Sequence, residues 1–197
     1  MVSVSLTYDD GPGPHTERLL DILRAHGVKA TFYLLGSNAE QYPKTVERMA
    51  AEGHTLGNHT YSHTWQPGDS LQAFLDELRK TDLIICRAMG WALDDPRRPA
   101  IPFRLPGGPK PGDARLMILT GIGRAHSHWT GEFADWTPRT PEELFRDMKL
   151  HVRRSAARSL NAVLLLHDSA PPTEEFRDRS ASVEATRLFL EDGVLAA

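Results

Sequence analysis

Apolar residues recur along this chain with two periods that take turns. Val2, Val4 and Leu6 alternate with polar neighbours, as a half-buried strand requires, and the run stops at the turn signal Asp9-Asp10-Gly11-Pro12. Leu19, Leu20 and Leu23 then share one face of a helix predicted from Thr16 to His26, with Gly27 where a C-terminal cap is expected. The exchange repeats. Ala30 to Leu35 predicts a strand, Pro43 opens a helix with Val46, Met49 and Ala50 inward, and His54 to Asn58 predicts a short strand. Leu71, Phe74, Leu75, Leu78, Ile85 and Met89 predict one long helix from Leu71 to Met89. Ile101 to Arg104 reads as a brief strand before the loop Pro106-Gly107-Gly108-Pro109, Asp113 to Thr120 as a helix, and Ala125 to Trp129 as a strand. Thr140-Pro141-Glu142-Glu143 is a capping-box start for a helix reaching about Ser159. Ala162 to Leu166 is a continuous apolar run, as in a strand buried on both faces, and a last helix spans Ser180 to Glu191.

Strand followed by helix, roughly six or seven times over, predicts an α/β barrel or a doubly wound parallel sheet. In such folds the C-terminal ends of the strands gather the chemistry. Asp9, Asp10, His59, Arg104, Asp135 and His167 all follow apolar runs at such ends. Parallel strands would therefore bring these distant residues to one rim.

Composition narrows the function classes. The 197 residues, 40% hydrophobic and 25% charged, fit one compact domain over 1–197, with no linker, repeat or low-complexity run to divide it. A net charge of -3, with basic pairs only at Arg97-Arg98 and Arg153-Arg154, argues against nucleic acid as a partner. The single cysteine, Cys86, excludes an internal disulfide and a cysteine metal cage. No apolar run approaches the ~20 residues of a membrane span. The start runs straight into the first strand without an export signal, so a cytoplasmic location is expected as the chain stands, and a secreted or cell-envelope one if a leader was removed. A monomer is expected.

Two adjacent acids at a strand end need compensation. In a pocket Asp9 and Asp10 would resist ionising together unless a cation or an arginine offsets one of them. His59 and His63 are four positions apart, so on a helical turn both imidazoles would face one side. With Asp10 they make two nitrogens and one carboxylate, a set found in catalytic zinc sites that keep a position open for water. His126 and His128 form a competing pair on one strand face, but no orphan carboxylate accompanies them.

The ordered motifs make the chain similar to the polysaccharide deacetylase family, the NodB-homology domain of carbohydrate esterase family four. Thr7-Tyr8-Asp9-Asp10-Gly11-Pro12 resembles the first motif, with Tyr8 for the usual phenylalanine, and His59-Thr60-Tyr61-Ser62-His63 the second. Arg104-Leu105-Pro106-Gly107-Gly108 resembles the third, Trp129 through Glu132 to Asp135-Trp136 the fourth, and Leu165-Leu166-His167 the fifth. The resemblance implies a distorted (β/α) barrel. It also implies that Asp10, His59 and His63 bind a divalent ion, most often zinc, which cobalt or nickel can replace. Asp9 would be the base and Arg104 the group that orients it. Gly107 would supply a backbone N–H to the oxyanion, and His167, oriented by Asp135, would protonate the leaving group. Trp136 and Leu165 would wall the acetyl pocket.

The implied substrate is an acetylated carbohydrate, foremost the N-acetyl groups of chitin oligomers or peptidoglycan. O-acetyl groups of xylan, small or cyclic amides, and a carbohydrate-binding domain without catalysis are the alternatives. Two positions depart from the family pattern. Gly107 stands where an aromatic residue is usual, so the wall is lost or supplied by another residue such as Trp65 or Trp129, and Glu132 stands where the fourth motif often has aspartate.

Overall fold

The alternation in the first strand sets the architecture. In this computed structural model, which describes residues 3–64, 70–92 and 94–193, β1 (Val4–Asp9) lies in the middle of a parallel sheet. It pairs on one side with β2 (Thr31–Leu34), which pairs with β3 (Thr55–Asn58), and on the other with β5 (Ala162–His167), which pairs with β4 (Gly131–Glu132). Beyond β3 the ladder continues by single parallel bridges, Asn58 to Phe103 and Phe103 to His126. The sheet's two ends, His126 and Gly131, are thus joined by a short piece of chain, and the sheet curls into a barrel with one thin seam.

Seven helices accompany the strands among the described residues: α1 (Thr16–Ala25), α2 (Gly36–Gln41), α3 (Pro43–Ala51), α4 (Leu71–Ala88), α5 (Ala114–Gly121), α6 (Pro141–Ala157) and α7 (Ser180–Glu191). Leu6 and Tyr8 of β1 and Leu164 and Leu166 of β5 turn outward to join Leu19, Leu20, Leu23, Met148, Val183 and Phe189 of the helices in the main core. Thr7 and Asp9, on the opposite face, point to the barrel interior, where they meet Arg104. No helix of the described residues is long and apolar enough to cross a membrane.

Local signals explain most boundaries. Thr140 caps α6 in a reciprocal box with Glu143, Pro43 and Pro141 begin helices, and Gly27 and Gly53 leave them at positive φ. Two expected strands are corrected. Ile101 to Arg104 and Ala125 to Trp129 contribute one bridging residue each, Phe103 and His126, because the chain turns away at the Pro106 loop and at Trp129. The short α2 was not expected, since Gly36, Ser37 and Asn38 carry no apolar repeat. It exists because Gly36 N–H reaches the Thr60 carbonyl at 3.0 Å, and a side chain there would strike Thr81 and Tyr61. Val2 and Trp65 lie outside the described residues.

Gly11 ties this fold to the candidate residues. A Cβ at Gly11 would lie 2.2 Å from Asp168 Oδ2, a fully buried carboxylate that Thr16 Oγ1 holds by a 2.5 Å hydrogen bond. Gly11→Ala is therefore expected to lower stability by about 1–3 kcal/mol through overpacking. A urea midpoint equal to that of the wild type would contradict this.

Candidate active site

Strand geometry alone would send Asp9 and Asp10 to opposite faces. Asp9 ends β1 with its carboxylate inside the barrel, but Asp10 has φ 69°, which rotates its side chain back to the same pocket. The carbonyl of Asp10 is fixed by Asn38 Nδ2 at 2.7 Å. Two neighbouring acids thus share one cavity, lined also by His59, His63, Gly107, Trp129, Glu132, Trp136, Leu165, His167 and Glu174.

The histidine pair is not on a helical turn. Thr60 and His63 both have positive φ, 68° and 63°, and this curled loop brings the two rings to 5.2 Å between centroids. His59 Nδ1 lies 2.9 Å from the Arg104 carbonyl, so it donates there and leaves Nε2 to face Asp10 Oδ1 at 3.4 Å. His63 Nε2 lies 3.6 Å from the same oxygen. Among the described residues, Asp10, His59 and His63 are the group whose ligand atoms all fall within 4.8 Å of one another.

Their electrostatics fit a cation. Asp10 Oδ1 is buried without a hydrogen-bond partner, and burial pushes this carboxyl up to about 8. Burial also holds both imidazoles below the usual histidine range, and hence neutral, with His63 adding to the effect on His59. An orphaned carboxylate oxygen beside two neutral ring nitrogens is the donor set of a divalent transition metal rather than of an alkali ion.

Asp9 is held differently. Burial raises its carboxyl, but Arg104 Nη1 donates to Oδ1 at 2.7 Å and to Thr7 Oγ1 at 2.8 Å. Arg104 is itself fully buried, with Nε donating to the Ser127 carbonyl at 3.2 Å and its guanidinium 4.0 Å from the centre of the Tyr33 ring. Across β1 and β5, Asp9 is the register partner of His167. Asp135 Oδ1 accepts from His167 Nδ1 at 2.8 Å, while Oδ2 takes His167 N–H at 2.8 Å and Ser182 Oγ at 2.6 Å. Burial alone would depress His167, yet the charge and hydrogen bond of Asp135, with Asp10 and Asp9 behind them, push it up to about 10. A cation at Asp10 would cancel part of that support and leave Asp135 as its main source.

Eight of the ten sequence-derived candidates line this cavity, and the other two, Arg104 and Asp135, are buried behind it, bonded to Asp9 and His167. Gly107 is exposed at φ 65° with open space where a side chain would start, and Trp129 lies against Gly108, where an added Cβ would come within 2.8 Å of its ring. Trp129 Nε1 donates to Glu132 Oε2 at 3.1 Å. Trp136 meets His167 edge to face at 5.6 Å. His126 and His128 lie in a different setting. His126 Nδ1 accepts from Leu105 N–H at 3.1 Å, and the two rings pack edge to face at 4.6 Å. Glu174 was missed. It reaches the pocket from the loop after β5, held at 2.5 Å by the fully buried Arg179, and Pro171-Pro172-Thr173-Glu174-Glu175 carries no motif to announce it.

The chain is similar to known proteins in sequence and in fold. A family profile described as polysaccharide deacetylase matches residues 2–118. A peptidoglycan-N-acetylglucosamine deacetylase of Bacillus cereus is 48% identical over 90 residues, which cover 45% of this chain but only 33% of that relative. A chitooligosaccharide deacetylase of Rhizobium leguminosarum bv. trifolii is 34% identical over 174 residues, covering 87% of this chain and 74% of the relative. Among solved structures, the Bc1960 peptidoglycan N-acetylglucosamine deacetylase, bound to an N-hydroxybenzamide, superposes with a TM-score of 0.76 at 30% identity, over 96% of this chain and 80% of that one.

The Asp135–His167 pair has a measurable consequence. Because the folded His167 titrates above its unfolded value of about 6.5, its protonated form adds stability that is complete below that pH and is lost as pH rises through about 10. In Asp135→Asn the imidazole should titrate lower by roughly one unit or more, read by NMR of the His167 ring. An unchanged titration would show that Asp135 is not the source of the shift.

Proposed function

The chain belongs to the polysaccharide deacetylase family, and from that membership we propose that it is a metal-dependent hydrolase removing N-acetyl groups from amino-sugar oligomers or polysaccharides, with residues 1–197 as one catalytic domain. One observation carries this reading: Asp10, His59 and His63 converge within 4.8 Å, between an arginine-held carboxylate and a carboxylate-held imidazole. A sugar-binding or metal-storing domain needs neither of the flanking pairs.

Asp10, His59 and His63 would hold the ion, zinc by preference and cobalt or nickel in its place. When bound, such an ion lowers the pKa of a water and polarises a carbonyl. The remaining work falls to side chains. Asp9, paired with Arg104, takes the proton of the attacking water as its oxygen bonds to the acetyl carbon. Negative charge grows on the carbonyl oxygen, and the Gly107 N–H is the donor offered to it. The carbon–nitrogen bond then breaks, and His167 gives the proton on Nε2 to the departing amine, because Nδ1 is committed to Asp135. Acetate and a free amino sugar are the products. Leu165 and Trp136 wall the side of the pocket suited to a methyl group.

Trp129 takes the place left by the missing aromatic at Gly107. Its ring over Gly108 offers a flat apolar face to a sugar, while Glu132 and Glu174 offer acceptors for hydroxyl groups.

Acetate release from acetylated chitooligosaccharides tests the reading. Turnover should vanish with chelator and return with zinc, and Asp9→Asn should lose about 10²–10⁴-fold in kcat. Sugar binding without turnover at any metal load would sink the proposal, while release from acetylxylan alone would move the substrate to an ester. For Trp129→Ala, KM should rise roughly 10-fold with a smaller change in kcat, since a lost platform weakens ground and transition states alike. An equal fall in kcat alone would place Trp129 at the reacting centre instead.

A further inference from the structure

The loop from His59 to His63 has no strand or helix to hold it, and two of its residues, Thr60 and His63, sit at positive φ. Such a shape persists only where the surroundings over-determine it. One face of α4 supplies that restraint. Glu77 Oε2 accepts from Ser62 N–H at 2.7 Å, from Ser62 Oγ at 2.8 Å and from Tyr61 N–H at 3.1 Å. One turn on, Thr81 Oγ1 donates to the Thr60 carbonyl at 2.8 Å. Asp82 then accepts from Asn58 Nδ2 at 2.7 Å, and Asn58 Oδ1 accepts in turn from Thr60 N–H at 2.8 Å.

These contacts differ in kind. Thr81 and Asp82 are buried, and Asp82 is also tied to Arg124, so both belong to the packing between α4 and the barrel. Glu77 is only partly covered, yet one of its oxygens gathers three donors from two successive loop residues. A carboxylate set on a pair of adjacent backbone N–H groups makes charge-assisted hydrogen bonds and fixes the peptide planes between them. Those planes lie immediately before His63, the more exposed of the two imidazoles facing Asp10.

We propose that Glu77 is a positioning residue for the metal site: it preorganises the Tyr61-Ser62 peptides so that His63 meets Asp10 without a separate ordering step. The inference rests on the reading that Asp10, His59 and His63 hold a divalent ion. Glu77 touches neither substrate nor reacting atoms. Its loss should therefore be felt in metal affinity and in loop exchange more than in the stability of the metal-free chain. Glu77→Gln keeps an acceptor oxygen without the charge and should fall between wild type and Glu77→Ala.

The test measures zinc affinity by competition with a chromophoric chelator, together with amide hydrogen exchange at Tyr61 and Ser62 and thermal unfolding, the last two on zinc-free protein. In Glu77→Ala, zinc should bind about 10–100-fold more weakly, as for other residues that orient ligands from behind. The two amides should exchange faster, and the zinc-free melting transition should stay near that of wild type. Wild-type affinity in Glu77→Ala, or a loss that accompanies collapse of the zinc-free melting transition, would overturn the inference. A wild-type chain that takes up no zinc would instead overturn the site reading, and this inference with it.

Discussion

A guanidinium stripped of water at the centre of a barrel is the constraint around which the rest is arranged. Arg104 is fully buried, and its charge is tolerable because Asp9 and Thr7 accept from Nη1, the Ser127 carbonyl accepts from Nε and Tyr33 stacks against its plane, although Nη2 has no hydrogen-bond partner among the described residues. Removing one member of such a pair typically costs 3–5 kcal/mol, because the other is left charged and dry. The same contact pulls the Asp9 carboxyl back down against the rise that burial gives it. Structural necessity and chemical readiness are here one interaction.

That interaction also separates two acids that are neighbours in the chain. Asp9 is matched by an arginine inside the fold, whereas Asp10 keeps an oxygen without a hydrogen-bond partner among the described residues. The left-handed turn at Asp10 is what permits the asymmetry, since a regular strand would have hidden one carboxylate among the helices. On the far side His167 and Asp135 form a pair of the opposite polarity, with a cationic imidazole held by an anion. A carboxyl group and an imidazole thus stand in register on adjacent strands.

The chain spells out some of this plainly. Asp9-Asp10 and His167 end apolar runs in parallel strands, so their convergence could be read from periodicity, and the expected bounds of α7, Ser180 to Glu191, are those found. Other parts depend on partners that the linear pattern does not reveal. The barrel closes past β3 through Phe103 and His126 alone, and one residue makes no periodic signal. The His59 to His63 spacing suggests a helical turn, but Thr60 and His63 take positive φ instead, in a loop held by hydrogen bonds from α4 and from Asn58. Glu77 and Glu174 look like ordinary surface acids until the backbone N–H groups and the buried Arg179 that they serve are seen.

The seam between His126 and Gly131 gives the fold an unequal tolerance for change. Trp129, Glu132, Asp135 and Trp136 all sit at or just beyond it, where the sheet hangs on a two-residue strand and a lone bridge. Residues added around His128 would disturb few ladder hydrogen bonds, because Ser127 and Thr130 on either side carry them, whereas additions near Asp9 or Arg104 would break the ion pair at the barrel's centre. With Thr130 still anchored to Val163, lengthening that stretch would change the chain beside Trp129 while leaving Asp135 bonded to His167.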